Sequence, residues 1–342
     1  MWAASLDAMS HPLSTADVVQ LACLTRGGAV ESVHLGALAV VDADGELIAS
    51  LGDPEALIYP RSTLKPFQAL ASLRAGADLT GDRLALACAS HVGSQRHQDL
   101  AAAMLNDAGL SEEDLRCPTA YPEHKPTLNA RIRAGQGANR LAFNCSGKHA
   151  AFLAACVAAG WDTASYLDPQ HPLQADALAI MADFAGAPLA TVSIDGCGAP
   201  VPQMPLVGLA RAVSRLLREA REGSDALAAR IAPAMLAHPW AVHGEGAENT
   251  VVMEELGVLT KLGAEGVLIM GAPDGTSLAL KMLDGNGRAN TAVGLSALVA
   301  LGVLPPDDVV PVLERVVRPV LGGSEPVGAV EVDAAVHSLA RA

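Results

Sequence analysis

The chain has 342 residues, 51% of them hydrophobic and only 3% aromatic, and carries a formal net charge of −14. That length can bury one large core or two smaller ones, and it suggests roughly two domains. The acidity argues against nucleic acid or an anionic membrane surface as partner, because both call for basic patches.

The first residues, Met1 to Ser10, have no basic segment ahead of an apolar stretch, so no signal peptide is expected. No apolar run reaches transmembrane length. Residues 1–16 read as a frayed tail. From Val18 the texture is that of strands: 18–24, 33–41 and 46–49, with Asp42-Ala43-Asp44-Gly45 supplying hairpin chemistry. From Ser62 it becomes helical. The spacing of Phe67, Leu70, Ala71 and Leu73 predicts a helix that stops at Gly76. Helices are then expected at 82–90, 97–109, 147–159, 173–185, 205–221 and 225–237, with loops at Pro118–Pro126 and Gly196–Pro205. Strands return at 258–261, 266–270 and 277–282, and helices follow at 290–302 and 306–318.

The expected fold class is therefore α/β (α+β). A mixed, antiparallel sheet comes from both chain ends (17–60 and 250–342), and a mostly helical domain (61–249) is inserted between them. A site is expected in the crevice between the two parts.

Five lysines accompany eighteen arginines, so Arg supplies the generic positive charge. A retained Lys points to a need Arg cannot meet, namely losing a proton. Lys65 follows Ser62 by one helical turn in Arg61-Ser62-Thr63-Leu64-Lys65-Pro66, within reach of its hydroxyl if Ser62 opens a helix. A neutral Lys there could take the serine proton during attack on a carbonyl. A solvated lysine behind a serine cap is the plainer alternative. Cys88-Ala89-Ser90-His91 ends an apolar run and suits a pocket wall. Lys261, in Thr260-Lys261-Leu262-Gly263, points either inward toward a substrate or outward as an edge-strand guard.

Six cysteines (Cys23, Cys88, Cys117, Cys145, Cys156, Cys197) form no CxxC pair. They read as reduced thiols in a cytoplasmic protein. Cys145 and Lys148 lie one turn apart, with Cys197 in Asp195-Gly196-Cys197 some fifty residues on. Two thiolates and a nitrogen donor could hold zinc, or the thiols could be structural.

Taken together, these strings resemble the thermolabile, rhizobial-type L-asparaginases of the asparaginase II family. That family shares the scaffold of the serine β-lactamases, penicillin-binding proteins and serine glutaminases. The resemblance runs from Leu24-Thr25-Arg26-Gly27-Gly28 to Asp284-Gly285-Asn286. It also takes in Cys145-Ser146-Gly147-Lys148-His149, His238-Pro239 and Gly244-Glu245-Gly246. It implies two catalytic pairs, Ser62 with Lys65 and Ser90 with Lys261, and a zinc site from Cys145, Lys148 and Cys197. Arg61 and Asp195 would grip the α-carboxylate and α-ammonium of L-asparagine, and the assembly would be a cytoplasmic homodimer. Three departures stand out. Val92 replaces the Asn of the β-lactamase relatives, Lys261-Leu262-Gly263 replaces their Lys-Thr-Gly, and Ala247-Glu248-Asn249-Thr250 replaces a Cys-containing stretch. The expected activity is hydrolysis of L-asparagine to L-aspartate and ammonia. The alternatives are a glutaminase or other ω-amidase, a hydrolase whose zinc activates water, and a non-catalytic amino-acid-binding protein.

Overall fold

The computed structural model describes residues 11–341. The tail expected at 1–16 lies outside that range as far as residue 10. Its last residues are not frayed: His11–Leu13 run beside Leu57, with the Leu13 N–H donating to the Leu57 carbonyl at 3.2 Å.

One antiparallel sheet organises the chain. Its strands run Val330–Val332, Val19–Arg26, Ala29–Val41, Ser277–Met282, Val267–Gly271, Leu259–Gly263 across the sheet. The long strand Ala29–Val41 pairs with Val19–Arg26 along its first half and with Leu47–Leu51 along its second. The turn between the last two closes because the Asp42 carboxylate accepts the N–H groups of Asp44 and Glu46, while Gly45 takes φ +90°.

Side chains alternate between the two faces of this sheet with the period of two that strands impose. Ala37, Ala39, Val41, Ile269 and Ala279 face one core, and Leu38, Val40, Leu268, Met270 and Leu280 face another. The second core lies under the helices Glu248–Leu256, Asn290–Ala300 and Pro306–Val316. The first is shared with the helices between residues 61 and 249, so these form one continuous interior with the sheet. Helix Leu206–Glu222 packs directly across the sheet. Its close approach rests on Gly271, where a Cβ would meet Leu217 Cδ1 at 2.6 Å and Val213 Cγ1 at 3.0 Å.

The expected elements recur with shifted ends, and some were missed. The segment read as the loop Pro118–Pro126 runs into a helix, Lys125–Arg133, and Gly196–Pro205 contains two short strands, Pro200–Pro202 and Met204–Pro205. The first is a polar, exposed helix with no apolar stripe to announce it. The others are proline-rich ribbons, Pro200–Pro202 paired in a local hairpin with Val192–Ile194 and Met204–Pro205 paired with the distant Leu57–Ile58. No helix among the described residues is long and apolar enough to cross a membrane.

Candidate active site

Three chain segments meet beside the edge strand Leu259–Gly263. A 3-10 turn, Arg61–Leu64, leads into helix Lys65–Arg74, and helix Gly81–Ala87 ends just before Ser90. Lys261 points inward from the strand, fully buried, and Lys65 is 1% exposed. Both lysines converge on a single hydroxyl. Lys65 Nζ lies 2.7 Å from Ser90 Oγ and Lys261 Nζ 2.9 Å from the same atom. Lys65 also donates to the Ala89 carbonyl, and Lys261 to the Leu262 carbonyl.

Ser62 and Lys65 were expected to pair through their side chains, but the bond between them is the Lys65 backbone N–H donating to the Ser62 carbonyl, and no side-chain hydrogen bond joins them among the described residues. Ser62 sits half-buried in the 3-10 turn, ahead of the α-helix rather than on it. A buried ammonium takes the acceptors that desolvate it least. Those are the Ala89 carbonyl, past the end of a helix, and Ser90 beyond it. The expected Ser90–Lys261 contact is present.

Burial, then repulsion from Lys65, holds the Lys261 ammonium well below the ordinary lysine range. The same burial pushes the neighbouring Cys88 thiol up to about 12, leaving it neutral.

The turn is held against the strand by Gly263. A Cβ there would meet the Pro60 carbonyl oxygen at 3.0 Å and Thr63 Cγ2 at 3.1 Å. The glycine thus serves protein packing. Arg61 adopts φ +54°, a conformation costing a non-glycine residue about 1–2 kcal/mol. Its guanidinium Nε donates to Asp195 Oδ1 at 2.7 Å, and both side chains are largely buried. Asp195 is itself fixed in a tight turn whose Gly196 N–H donates to the same carboxylate oxygen at 2.9 Å.

Beyond Asp195 lies the thiol cluster. Cys145 precedes helix Ser146–Ala159, Lys148 stands on its first turn, and Cys197 follows the Asp195 turn; all three are buried. Lys148 Nζ lies 3.0 Å from Cys197 Sγ. A hydrogen bond from Cys145 and the charge of Lys148 hold Cys197 as a thiolate against the cost of burial, while Cys145 keeps its proton. Burial opposes the charge on Lys148, but the Cys197 and Cys145 sulfurs outweigh it and raise Lys148 above the ordinary range. Two soft sulfur donors and an amine, all three buried, fit zinc, with Lys148 shedding its proton to bind. His149 borders the cluster: its Nδ1 lies 2.7 Å from the Tyr166 hydroxyl, and its Nε2 is buried without a hydrogen-bond partner.

The two clusters are joined by Gly147. A Cβ there would strike Leu86 Cγ and approach the Leu86 carbonyl oxygen to 2.6 Å, so helix Ser146–Ala159 seats on the helix that delivers Ser90. The next residue, Ser146, bonds to His91 Nε2 at 2.9 Å.

Sequence reasoning missed His243. The Ser90 N–H donates to the Val242 carbonyl and the Val92 N–H to that of His243, so His243 is clamped beside the serine. Its Nδ1 is buried without a partner, and burial, then Lys261 and His97, push it down to about 4. Nothing local in Trp240-Ala241-Val242-His243 marks the residue; its importance is purely spatial.

Residues 22–332 match the family model described as L-asparaginase II. No curated protein is similar enough to count as a relative. Among solved structures, the chain is similar to Mglu in its native form, at 14% identity and a TM-score of 0.42, covering 80% of this chain and 66% of that one. In 4.3 M NaCl the Mglu match is 15% identical with a TM-score of 0.46, over 80% and 62%. A β-lactamase from Mycobacterium bovis matches at 14% identity and a TM-score of 0.40, over 77% and 94%. The chain spans slightly less than two thirds of the length of those Mglu chains. Likenesses of this size carry no argument about its chemistry.

Proposed function

The chain belongs to the L-asparaginase II family, a family of amidohydrolases, and on that premise we propose that it hydrolyses the side-chain amide of L-asparagine to L-aspartate and ammonia by serine–lysine chemistry. The observation that carries this reading is the buried chain of hydrogen bonds from Lys65 through Ser90 to Lys261, one turn beyond Ser62.

Lys261, its ammonium destabilised, is the proton sink. Ser90 bridges the two lysines, so a proton delivered to Lys65 is matched by one passed from Lys65 through Ser90 to the neutral Lys261. Ser62, whose hydroxyl is engaged by no protein group among the described residues, attacks the amide carbon, and its proton goes to Lys65. The tetrahedral intermediate then collapses: the C–N bond breaks, ammonia departs with a proton returned from Lys65, and a β-aspartyl ester remains on Ser62. Water, deprotonated through the same relay, cleaves the ester. Arg61 and Asp195 exchange their mutual ion pair for the substrate's α-carboxylate and α-ammonium.

Zinc held by Cys145, Lys148 and Cys197 would supply a Lewis acid beside the Asp195 turn, its charge balanced by the two thiolates, and would help to orient substrate there. It is not needed to activate water where a serine nucleophile is present.

A second reading has its own observation: Ser90, bonded by both lysines, could itself attack. Acid-quenched enzyme incubated with L-asparagine decides between them. An aspartyl ester mapped by mass spectrometry to Ser62 sustains the first, and one on Ser90 overturns it. Ammonia release from L-asparagine and L-glutamine tests the substrate, since one methylene is worth only about 1–3 kcal/mol of discrimination. Preference for glutamine, or turnover unaffected by Ser62→Ala, would sink the proposal as stated.

A further inference from the structure

On the far side of the sheet from its shared helical core lies a cavity of about 520 Å³ that includes no residue of the serine–lysine or thiol clusters. Its size falls within the range of small-molecule pockets, about 300–1,000 Å³. Three guanidiniums line it, those of Arg26, Arg288 and Arg318. They come from the first strand, the turn after Met282 and the segment after helix Pro306–Val316, so only the fold brings them together.

Each is held differently. Arg26 is spoken for on one side: its Nε donates to both Glu31 carboxylate oxygens at 3.0 Å, and Nη1 donates to the Leu321 carbonyl. Arg288 is aimed by a relay. Its Nε donates to His34 Nε2 at 2.8 Å, and His34 Nδ1 lies 2.8 Å from Asp284 Oδ2. A guanidinium can only donate, so Nε2 of His34 must accept and Nδ1 must carry the proton. His34 is 1% exposed; a buried histidine is thus committed to orienting this arginine. The Ser32 hydroxyl accepts from Nη2 at 2.8 Å and completes the clamp, leaving Nη1 without a hydrogen-bond partner among the described residues. Arg318 makes no hydrogen bond or ion pair among the described residues. The remaining carboxylate is Glu248, which accepts from Thr291 and feels the charge of Arg318 without a close ion pair among the described residues.

Two guanidiniums with unused donors, one rigidly aimed, form the planar forks that match a carboxylate or phosphate group. We propose that this cavity is a binding site for a small oxyanion, a carboxylate- or phosphate-bearing metabolite, separate from the catalytic centre. The inference does not rest on the asparaginase reading.

Calorimetric titration of the full chain at low ionic strength, with inorganic phosphate, pyrophosphate and succinate as probes, tests it. The expected result is saturable binding of at least one probe. Arg318→Gln and Arg288→Gln should each weaken it about tenfold or more, while Arg318→Gln leaves ammonia release and melting temperature unchanged. Tighter binding of succinate assigns a dicarboxylate ligand, and tighter binding of the phosphates assigns a phosphorylated one; either sustains the site. Absence of saturable binding by every probe overturns it. So does binding that survives both substitutions, or binding abolished by Arg61→Gln alone, which would place the anion at the catalytic centre.

Discussion

Two buried lysines in this molecule, Lys261 and Lys148, are equally removed from water and respond in opposite directions. Lys261 meets a hydroxyl, a carbonyl and a second lysine, and its charge is pushed off. Lys148 meets two sulfurs, one a thiolate, and its charge is held on. Burial is common to both, so it does not decide the outcome; the nearest partner does. One site is thereby prepared to accept a proton and the other to give one up only in exchange for another cation.

The sharpest way to break this contrast is to remove the proton acceptor. Lys261→Met should lower kcat for ammonia release by roughly 10²–10⁴-fold, the usual worth of a positioned acid–base group. Circular dichroism should report an intact fold, since a linear apolar chain fills the same buried space. In the wild type, kcat/KM should rise with pH as Lys261 passes through its depressed pKa, because only the neutral amine accepts a proton. An unchanged rate in the variant would show that the relay is not used.

Next in size is the thiol cluster. Cys197→Ser removes the sulfur that stabilises Lys148 and should cut zinc retention after dialysis, read by elemental analysis. The accompanying activity loss should be smaller, about 10–100-fold. A variant that loses zinc yet keeps full activity would confine the cluster to a structural role.

Gly147→Ala acts on both regions at once, by pushing helix Ser146–Ala159 off Leu86. Overpacking of this kind costs about 1–3 kcal/mol. Denaturant melts should show the loss, and both zinc retention and turnover should fall together. If only one falls, the two clusters are not coupled through this contact.

The smallest effect concerns two buried histidines, His243 beside Ser90 and His97 against Trp240. Burial, first among the causes, holds His97 and His243 near about 4, against an ordinary 6.5. The folded protein keeps them neutral while the unfolded chain takes up their protons first. Stability they favour at neutral pH is therefore lost as pH falls from 6.5 toward 4, and the loss levels off below that. Melting temperature against pH should slope accordingly, and His243→Gln should flatten the slope.

Much of this architecture is written locally in the chain. The alternation through Ala37–Val41, the Asp42–Gly45 turn and the apolar face of helix Leu206–Glu222 declare strands, hairpin and helix, because hydrophobic period and turn chemistry act over a few residues. The scarcity of lysine likewise singled out Lys65, Lys148 and Lys261 before any geometry was known. Local pattern does not determine whom those long side chains meet, and the Ser90–Lys261 contact was legible only through the family resemblance. Lys65 stands three residues from Ser62 yet bonds Ser90, and Lys261 reaches Ser90 across 171 positions of sequence. His243, the Arg61–Asp195 pair and the arginines around the cavity beside His34 share that character. A hydrogen-bond partner is chosen by which donors and acceptors the packed core brings within about 3 Å. That proximity exists only after helices and sheet have closed on one another, so it belongs to the tertiary structure alone.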